Sequence, residues 1–376
     1  MQMPGPVVEH QPLRNHTTFK VGGPARYIAK AANPEVLKRW LAFAADHQHP
    51  VAVLGGGSNV LVSDAGFDGL VLQPSDSTIA AEEDGPYHVR LRLGAGVDWD
   101  AAVAWSIDRN LAGLECLSGI PGHVGAAPIQ NIGAYGQEVG DVLVAVEALH
   151  RDTGSVQRFD RDACALGYRW STFKGEQRGR WVVMGVELRL ERGGAPTLRY
   201  RDLVQRFEGH EGAPSLAMVR NAVLAIRRSK SMVVDPEDPN TRSAGSFFVN
   251  PILTPSHWTR VEEQIKTVLG ADAEPPHWTV QAPHGGGTGI KLPAAWLIER
   301  AGFGKGHAHG RAGLSSRHCL ALINRTGDCS AKELLELARH IRNRVWEQFG
   351  VRLTPEPQML GFSEATVARW NAVETE

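Results

Sequence analysis

The sequence predicts an α+β protein of two domains, and three observations predict it. The chain has 376 residues, more than the roughly 250–300 at which one hydrophobic core stops growing. Strand-like and helix-like stretches alternate from about residue 21 to 93, and a block of neighbouring antiparallel strands follows. Hydrophobic residues make up 42% and charged residues 22%, which excludes a disordered or collagen-like chain.

The elements follow in order. Residues 1–20 read as an N-terminal lead, loosely attached over its first 15 residues. Ala25–Ala31 reads as a strand. Asn33 is placed to cap a helix over residues 34–47, with Pro34 at its first position and Glu35 in its first turn. Val51–Leu54 and Val60–Val62 are short apolar strands flanking Gly55-Gly56-Gly57-Ser58-Asn59. A strand over His88–Leu93 precedes a helix over Trp99–Asn110. Leu143–His150, Val156–Phe159 and Trp181–Leu190 alternate as strands of an antiparallel sheet. The run from Glu191 to Pro196 has the composition of a linker. A helix is predicted over Ser215–Arg228 and a Pro-rich surface loop over Met232–Ser243. A flexible loop follows at 282–289, then helices over Leu292–Arg300 and Ala331–Phe349. In the last, Leu334, Leu335, Leu337, Ala338, Ile341 and Val345 form one apolar stripe. The expected boundaries are 21–193 for a first domain, 194–362 for a second and 363–376 for a tail.

Charge and cysteine usage narrow the function. Lys+Arg is 40 and Asp+Glu is 41, a net charge of −1, which argues against a dedicated nucleic-acid binder. Cys116, Cys164, Cys319 and Cys329 have neither C-x-x-C nor zinc spacing, so a reducing compartment is expected. No signal-peptide pattern and no apolar run of membrane-spanning length is visible. These features predict a soluble cytoplasmic protein with no membrane insertion.

Several segments hold candidate chemistry. Neither G-x-G-x-x-G nor a P-loop occurs. Gly55–Asn59 follows a strand directly, and reads either as a tight turn or as a nest of backbone N–H groups for an anion. Residues 113–140 are dense in Gly and nearly free of charge. They read as a buried crossover or as a wall against a large flat cofactor, with Gln130 and Asn131 supplying amides. His123 inside it is a plain loop residue or a flavin attachment point. In Tyr168-Arg169-Trp170-Ser171-Thr172-Phe173-Lys174, an Arg among aromatics is a solvated strand end or a preorganised carboxylate clamp. Arg227-Arg228-Ser229-Lys230 compensates a helix dipole or clamps phosphate. Ser246 lies beside two phenylalanines outside any nucleophile elbow. Glu356 stands between Pro355 and Pro357. His307 and His309 lack a spaced third ligand, so no metal is expected.

Taken in order, the runs G-G-G-S-N-V-L-V-S-D, G-L-E-C-L-S-G-I-P-G, P-I-Q-N-I-G-A-Y-G, G-Y-R-W-S-T-F-K, G-S-F-F-V-N-P and T-P-E-P carry a resemblance. Over about Asn15–Gly361 the chain resembles the UDP-N-acetylenolpyruvoylglucosamine reductase family, its first subtype by Tyr200. These flavoenzymes are NADP-linked UDP-N-acetylmuramate dehydrogenases of peptidoglycan synthesis, hence of cell wall biogenesis, cell shape, cell cycle and cell division. The resemblance implies an FAD-binding fold of the vanillyl-alcohol-oxidase (PCMH) type in two subdomains, plus a C-terminal α+β substrate-binding domain. It implies non-covalent FAD, NADPH as reducing cosubstrate, UDP-N-acetylglucosamine-enolpyruvate as substrate, and a monomer.

By motif matching, the resemblance gives the residues roles. Gly55, Gly56, Gly57, Ser58, Asn59, Gly119, Ile120, Pro121, Gly122, Gly125, Ala126, Gln130, Asn131, Gly133, Ala134 and Tyr135 would bind FAD. Tyr168, Tyr200, Arg227, Lys230 and Asn250 would bind substrate. Arg169 and Glu356 would stabilise an enolate-like species, Glu356 as a hydrogen-bonding acid, and Ser246 would give the completing proton. The alternative is an FAD-dependent alcohol or sugar oxidase on the same fold, which needs no carbon-protonating acid. A non-catalytic nucleotide-sugar binder has no use for the glycine-rich wall.

Overall fold

The computed structural model describes residues 3–281 and 287–371, with the side chain of Asn371 left out. Within it the chain forms two compact units. The first comprises 1–11, 25–57 and 68–233; the second comprises 12–24, 58–67 and 234–376.

The first unit holds two larger sheets and the short pair Gly133–Ala134 and Gln137–Glu138. Val7–Pro12, Pro24–Ala31, Phe67–Pro74 and Val51–Val53 lie in that order in one. The other is antiparallel: Val156–Asp160, Leu143–His150, Trp181–Arg192, His88–Gly94 and Ile79–Glu83, with Leu111–Ala112 pairing on Trp181–Arg192. The Pro34–Asp46 helix starts where expected, since the Asn33 side chain accepts the Val36 N–H at 2.9 Å. Its Leu37, Trp40 and Phe43 pack with Tyr27, Leu70 and Leu72. The Trp99–Asp108 helix, capped by Asp98, buries Trp99, Val103 and Ile107 against Leu91, Leu93 and Val186 of the antiparallel sheet. Each fully buried side chain of this size contributes about 1.5–3 kcal/mol.

The second unit is built on the Ala331–Phe349 helix. Ser330 and Glu333 form a reciprocal capping box at its start, and Gly350 ends it at a positive φ of 66°. The expected stripe is buried, together with Trp258, Ile265, Leu297 and Phe303. Around it lie the helices Pro255–Leu269 and Ala294–Arg300, two three-stranded sheets, and a parallel pair between Val60–Val62 and Gln358–Leu360.

Four expectations differ from this picture. Residues 3–15 are not a loose lead: Val7–Pro12 is a sheet strand and Leu13 is fully buried. Residues 191–196 do not end a domain. The strand runs to Arg192, and the helices Arg201–Arg206 and Leu216–Ser229 pack Leu203, Val219 and Val223 around Cys116 in the first unit. The loop over 232–243 is not wholly surface, because Thr241 and Ser243 are buried and Thr18 Oγ1 donates to the Ser243 carbonyl at 2.6 Å. The tail contains a helix, Glu364–Asn371, with Trp370 buried. Of the loop expected at 282–289, residues 282–286 lie outside the described residues.

Candidate active site

In the first unit, the Gly55–Gly57 turn lies against the loop that begins at Gly119. A Cβ on Gly56 would stand 2.8 Å from the Gly122 Cα, so no other residue allows this approach without a shift. The loop is pinned from behind. Trp99 N–H donates to the Gly122 carbonyl at 2.9 Å, and Gly125 N–H to that of Ala95 at 3.0 Å. Gly119 N–H donates to Asp100 Oδ1 at 2.6 Å, and Arg220 holds the same carboxylate in a fork at 2.6 and 2.8 Å. Burial opposes the charge on Asp100, but the Arg220 and Gly119 hydrogen bonds outweigh it and leave the carboxyl below its ordinary range.

Asn131 is used differently from expectation. It is buried at a positive φ of 46°. Its Oδ1 accepts the Gly140 N–H at 2.8 Å, and its Nδ2 donates to Glu138 and to the Gly167 carbonyl. Both amide atoms are therefore committed to folding the loop. Ile120 packs partly buried on the core of this unit. Pro128–Gln130 forms a short turn and Gly133–Ala134 a short strand against Gln137–Glu138.

Arg169 joins this loop. Its Nη2 donates to the Gly133 carbonyl at 3.1 Å, its guanidinium lies 5.6 Å from the Tyr168 ring, and Lys174 Nζ donates to its carbonyl at 3.0 Å. Its φ is 54°, the left-handed region, which costs a non-glycine residue about 1–2 kcal/mol. Tyr135 meets Tyr200 edge-on at 5.3 Å, and burial pushes the Tyr135 phenol up to about 12. Lys230 Nζ pairs with Asp202 at 3.4 Å, and Arg227 Nη2 donates to the Met232 carbonyl at 2.7 Å.

A flavin fits this surface. Where the two segments approach, Gly55 and Gly56 face Gly122, His123 and Ala126, so backbone is open to close contact. Two enclosed polar atoms, His123 Nδ1 and Arg227 Nε, have no hydrogen-bond partner among the described residues, and such atoms call for an external group. Burial also lowers the proton affinity of both side chains.

In the second unit, two predicted catalytic segments lie side by side. Glu356 N–H donates to the Phe247 carbonyl at 2.8 Å, and Val249 N–H to that of Thr354 at 3.0 Å. Phe248 and Pro355 bridge between them. Ser246 and Glu356 thus flank one short antiparallel contact, with Phe247 and Phe248 buried behind it. Asn59 completes the corner: its Nδ2 donates to the Glu356 carbonyl at 3.4 Å, and its carbonyl accepts the Gln358 N–H at 2.9 Å. Ser58 and Asn59 thus fold with the second unit, unlike the three glycines before them. Asn250 has a local structural use, since its Oδ1 accepts the Ala294 N–H at 2.9 Å at the start of the Ala294–Arg300 helix. Among the described residues, no group of three or more His, Cys, Asp or Glu could hold a metal, and no helix is long and apolar enough to cross a membrane.

Sequence reasoning missed Glu115, Gln137, Asp100 and Arg220. The available signal for Glu115 was a carboxylate inside an otherwise almost uncharged stretch. For Asp100 and Arg220, 120 residues apart, there was none.

A family model described as an FAD binding domain matches residues 25–160, and one described as UDP-N-acetylenolpyruvoylglucosamine reductase, C-terminal domain, matches 236–360. The UDP-N-acetylenolpyruvoylglucosamine reductase of Thermobifida fusca is 44% identical over 352 residues, 93% of this chain and 97% of that one. That of Saccharopolyspora erythraea is 44% identical, over 93% and 94% of the two chains. The crystal structure of UDP-N-acetylenolpyruvylglucosamine reductase from Thermus caldophilus is similar with a TM-score of 0.60 and 26% identity, over 94% of this chain and 98% of that one. The 6-hydroxy-D-nicotine oxidase of Arthrobacter nicotinovorans, 14% identical with a TM-score of 0.52 over 93% of this chain and 87% of its own, shares the fold. The chain belongs to the UDP-N-acetylenolpyruvoylglucosamine reductase family.

Proposed function

We propose that the protein reduces the enolpyruvyl ether of UDP-N-acetylglucosamine-enolpyruvate to UDP-N-acetylmuramate, with FAD as cofactor and NADPH as reductant. The observation that carries the reading is 44% identity along 93% of the chain to reductases of that name. FAD bound there would supply the redox chemistry, hydride transfer from NADPH to the terminal methylene carbon of the ether. Gly55–Gly57 and the loop from Gly119 to Tyr135 would hold it, their glycines letting backbone N–H groups approach closely.

The protein's own groups then handle charge and proton. As the methylene carbon gains its hydride, negative charge builds on the neighbouring carbon and spreads into the carboxylate. Arg169 binds that carboxylate, and its donors are set before the charge appears, where such stabilisation is strongest. Its strained backbone and its tether to Gly133 support that role. Ser246 gives the proton that completes the lactyl ether. A serine is a weak acid, but its target is a strongly basic carbon. Glu356, held beside the Ser246 segment by the Phe247 carbonyl, acts as the hydrogen-bonding partner of the enolate. Tyr168, Tyr200, Arg227, Lys230 and Asn250 bind the nucleotide-sugar, the cations near its diphosphate.

The four cysteines are free and buried, which suits a reducing compartment; the protein works as a cytoplasmic monomer. The test is simple. Purified protein is yellow and sustains NADPH turnover beyond one equivalent per flavin only when the enolpyruvyl UDP-sugar is supplied. A colourless protein, or steady oxygen-coupled turnover without that sugar, sinks the reading and favours an oxidase on this fold.

A further inference from the structure

Glu115 is fully buried, and a carboxylate is almost never found there unless its charge is satisfied. Among the described residues, its carboxylate is held by neutral N–H donors. Oε2 accepts from Gly113 N–H at 2.9 Å; Oε1 accepts from Gln137 Nε2 at 2.7 Å and from Thr197 N–H at 2.7 Å. Gln137 extends the hub. Its Oε1 accepts the Cys116 N–H at 2.8 Å, and its Nε2 also reaches Thr197 Oγ1 at 3.0 Å. The Cys116 thiol donates to the Thr197 carbonyl at 3.2 Å. One buried carboxylate thus ties together the two ends of the glycine-rich segment and a third strand of chain at Thr197.

Thr197 leads directly to Tyr200. A Cβ on Gly136 would stand 3.0 Å from the Arg199 Cβ, and Leu198 packs on the small core around Cys116. Tyr200 then meets Tyr135 edge-on and its carbonyl accepts the Leu203 and Val204 N–H groups, starting the Arg201–Arg206 helix. The contacts of Thr197, Leu198 and Arg199 thus include Gln137, bonded to Glu115; Cys116, next to it in sequence; and Gly136, next to Gln137. Hydrogen bonds to a buried charge are about twice as strong as neutral ones, and their loss strands several donors.

We propose that Glu115 is a positioning residue that locks the Tyr200 segment to the flavin-binding loop, so that the substrate-contacting ring is preorganised before the nucleotide-sugar arrives. This rests on the assignment of Tyr200 as a substrate contact. The conservative variant Glu115→Gln keeps the shape but turns one oxygen into an NH2 group facing an N–H donor. It is expected to raise KM for the enolpyruvyl UDP-sugar about tenfold while the rate of flavin reduction by NADPH stays within about twofold. Combined with Tyr200→Ala, it should add less than about twofold more, because the ring it positions is gone. Additive effects, or an equal loss in both half-reactions, would overturn the proposal. Amide exchange over residues 197–204 without substrate separates this from the role of Tyr200. Exchange should be at least about tenfold faster in Glu115→Gln; unchanged exchange refutes the lock, whereas unchanged KM in Tyr200→Ala alone refutes only the substrate contact. If Glu115→Gln does not fold, Gln137→Met, which removes one donor to the carboxylate at similar volume, is held to the same outcomes.

Discussion

Arg169 is bound to the glycine-rich loop of its own unit: its Nη2 donates to the Gly133 carbonyl at 3.1 Å while its backbone sits at a φ of 54°. The two facts belong together. A left-handed backbone turns the guanidinium onto the loop, and the loop carbonyl fixes its orientation. An arginine held this way pays its ordering cost during folding instead of during catalysis.

That arrangement predicts a separation of stability from activity. Arg169→Ala and Arg169→Gly should both lower kcat/KM by about 10²–10³, the usual loss for one preorganised charge donor. Yet Arg169→Gly should be the more stable of the two by about 1 kcal/mol, because glycine accepts the positive φ. Arg169→Lys should recover little activity, since a point charge cannot replace the planar fork. Denaturant melts and steady-state kinetics on the three variants check this.

The close approach of Gly56 to Gly122 predicts a cofactor defect without unfolding. In Gly56→Ala the new methyl would stand 2.8 Å from the Gly122 Cα, so the two walls must part. FAD affinity, measured by titrating apoprotein and following flavin fluorescence, should fall by about tenfold or more, with the circular dichroism spectrum unchanged.

Asp100 predicts how the loop responds to acid. Its carboxyl lies below the ordinary range in the folded protein despite the opposing cost of burial. A depressed acid stabilises the fold fully above the unfolded value, about 3.9, and that contribution is lost as pH falls through the lower folded value. Flavin release on acidification should therefore occur at higher pH in Asp100→Asn than in the unaltered protein. Equal release curves would contradict the link between this carboxylate and the Gly119 N–H.

The same linkage applies to Glu333 at the head of the Ala331–Phe349 helix. The Arg311 guanidinium, with help from Ser330, brings its carboxyl down to about 2. Glu333→Gln should cost about 1 kcal/mol at neutral pH. The difference from the unaltered protein should shrink as pH falls from about 4.3 toward that folded value. Thermal melts at the two extremes check the sign.

How much of this could be read from the chain depends on where the information lies. The Pro34–Asp46 and Ala331–Phe349 helices were legible because their caps, Asn33 and Ser330, and their apolar stripes are local. The close-approach role of glycine in the two glycine-rich segments was legible from their composition, although the contact of Gly56 with Gly122 itself was not. The second unit's claim on residues 12–24 and 58–67 was not. Strand Val60–Val62 finds its partner at Gln358–Leu360, some three hundred residues away, and no local pattern encodes that. The Glu115 hub was hidden for the same reason, since Thr197 reaches it across 82 residues. Asn131 shows the converse: the motif marked the residue, and its amide is spent on hydrogen bonds within the fold.

The central claim is that hydride delivery is completed by a proton from Ser246. Single-turnover stopped-flow, run in two halves on Ser246→Ala, tests it most directly. Flavin reduction by NADPH should proceed at nearly the unaltered rate, and reoxidation by the enolpyruvyl UDP-sugar should slow by about 10²-fold or more. A variant that loses the first half-reaction, or that completes the second at the unaltered rate, would contradict it.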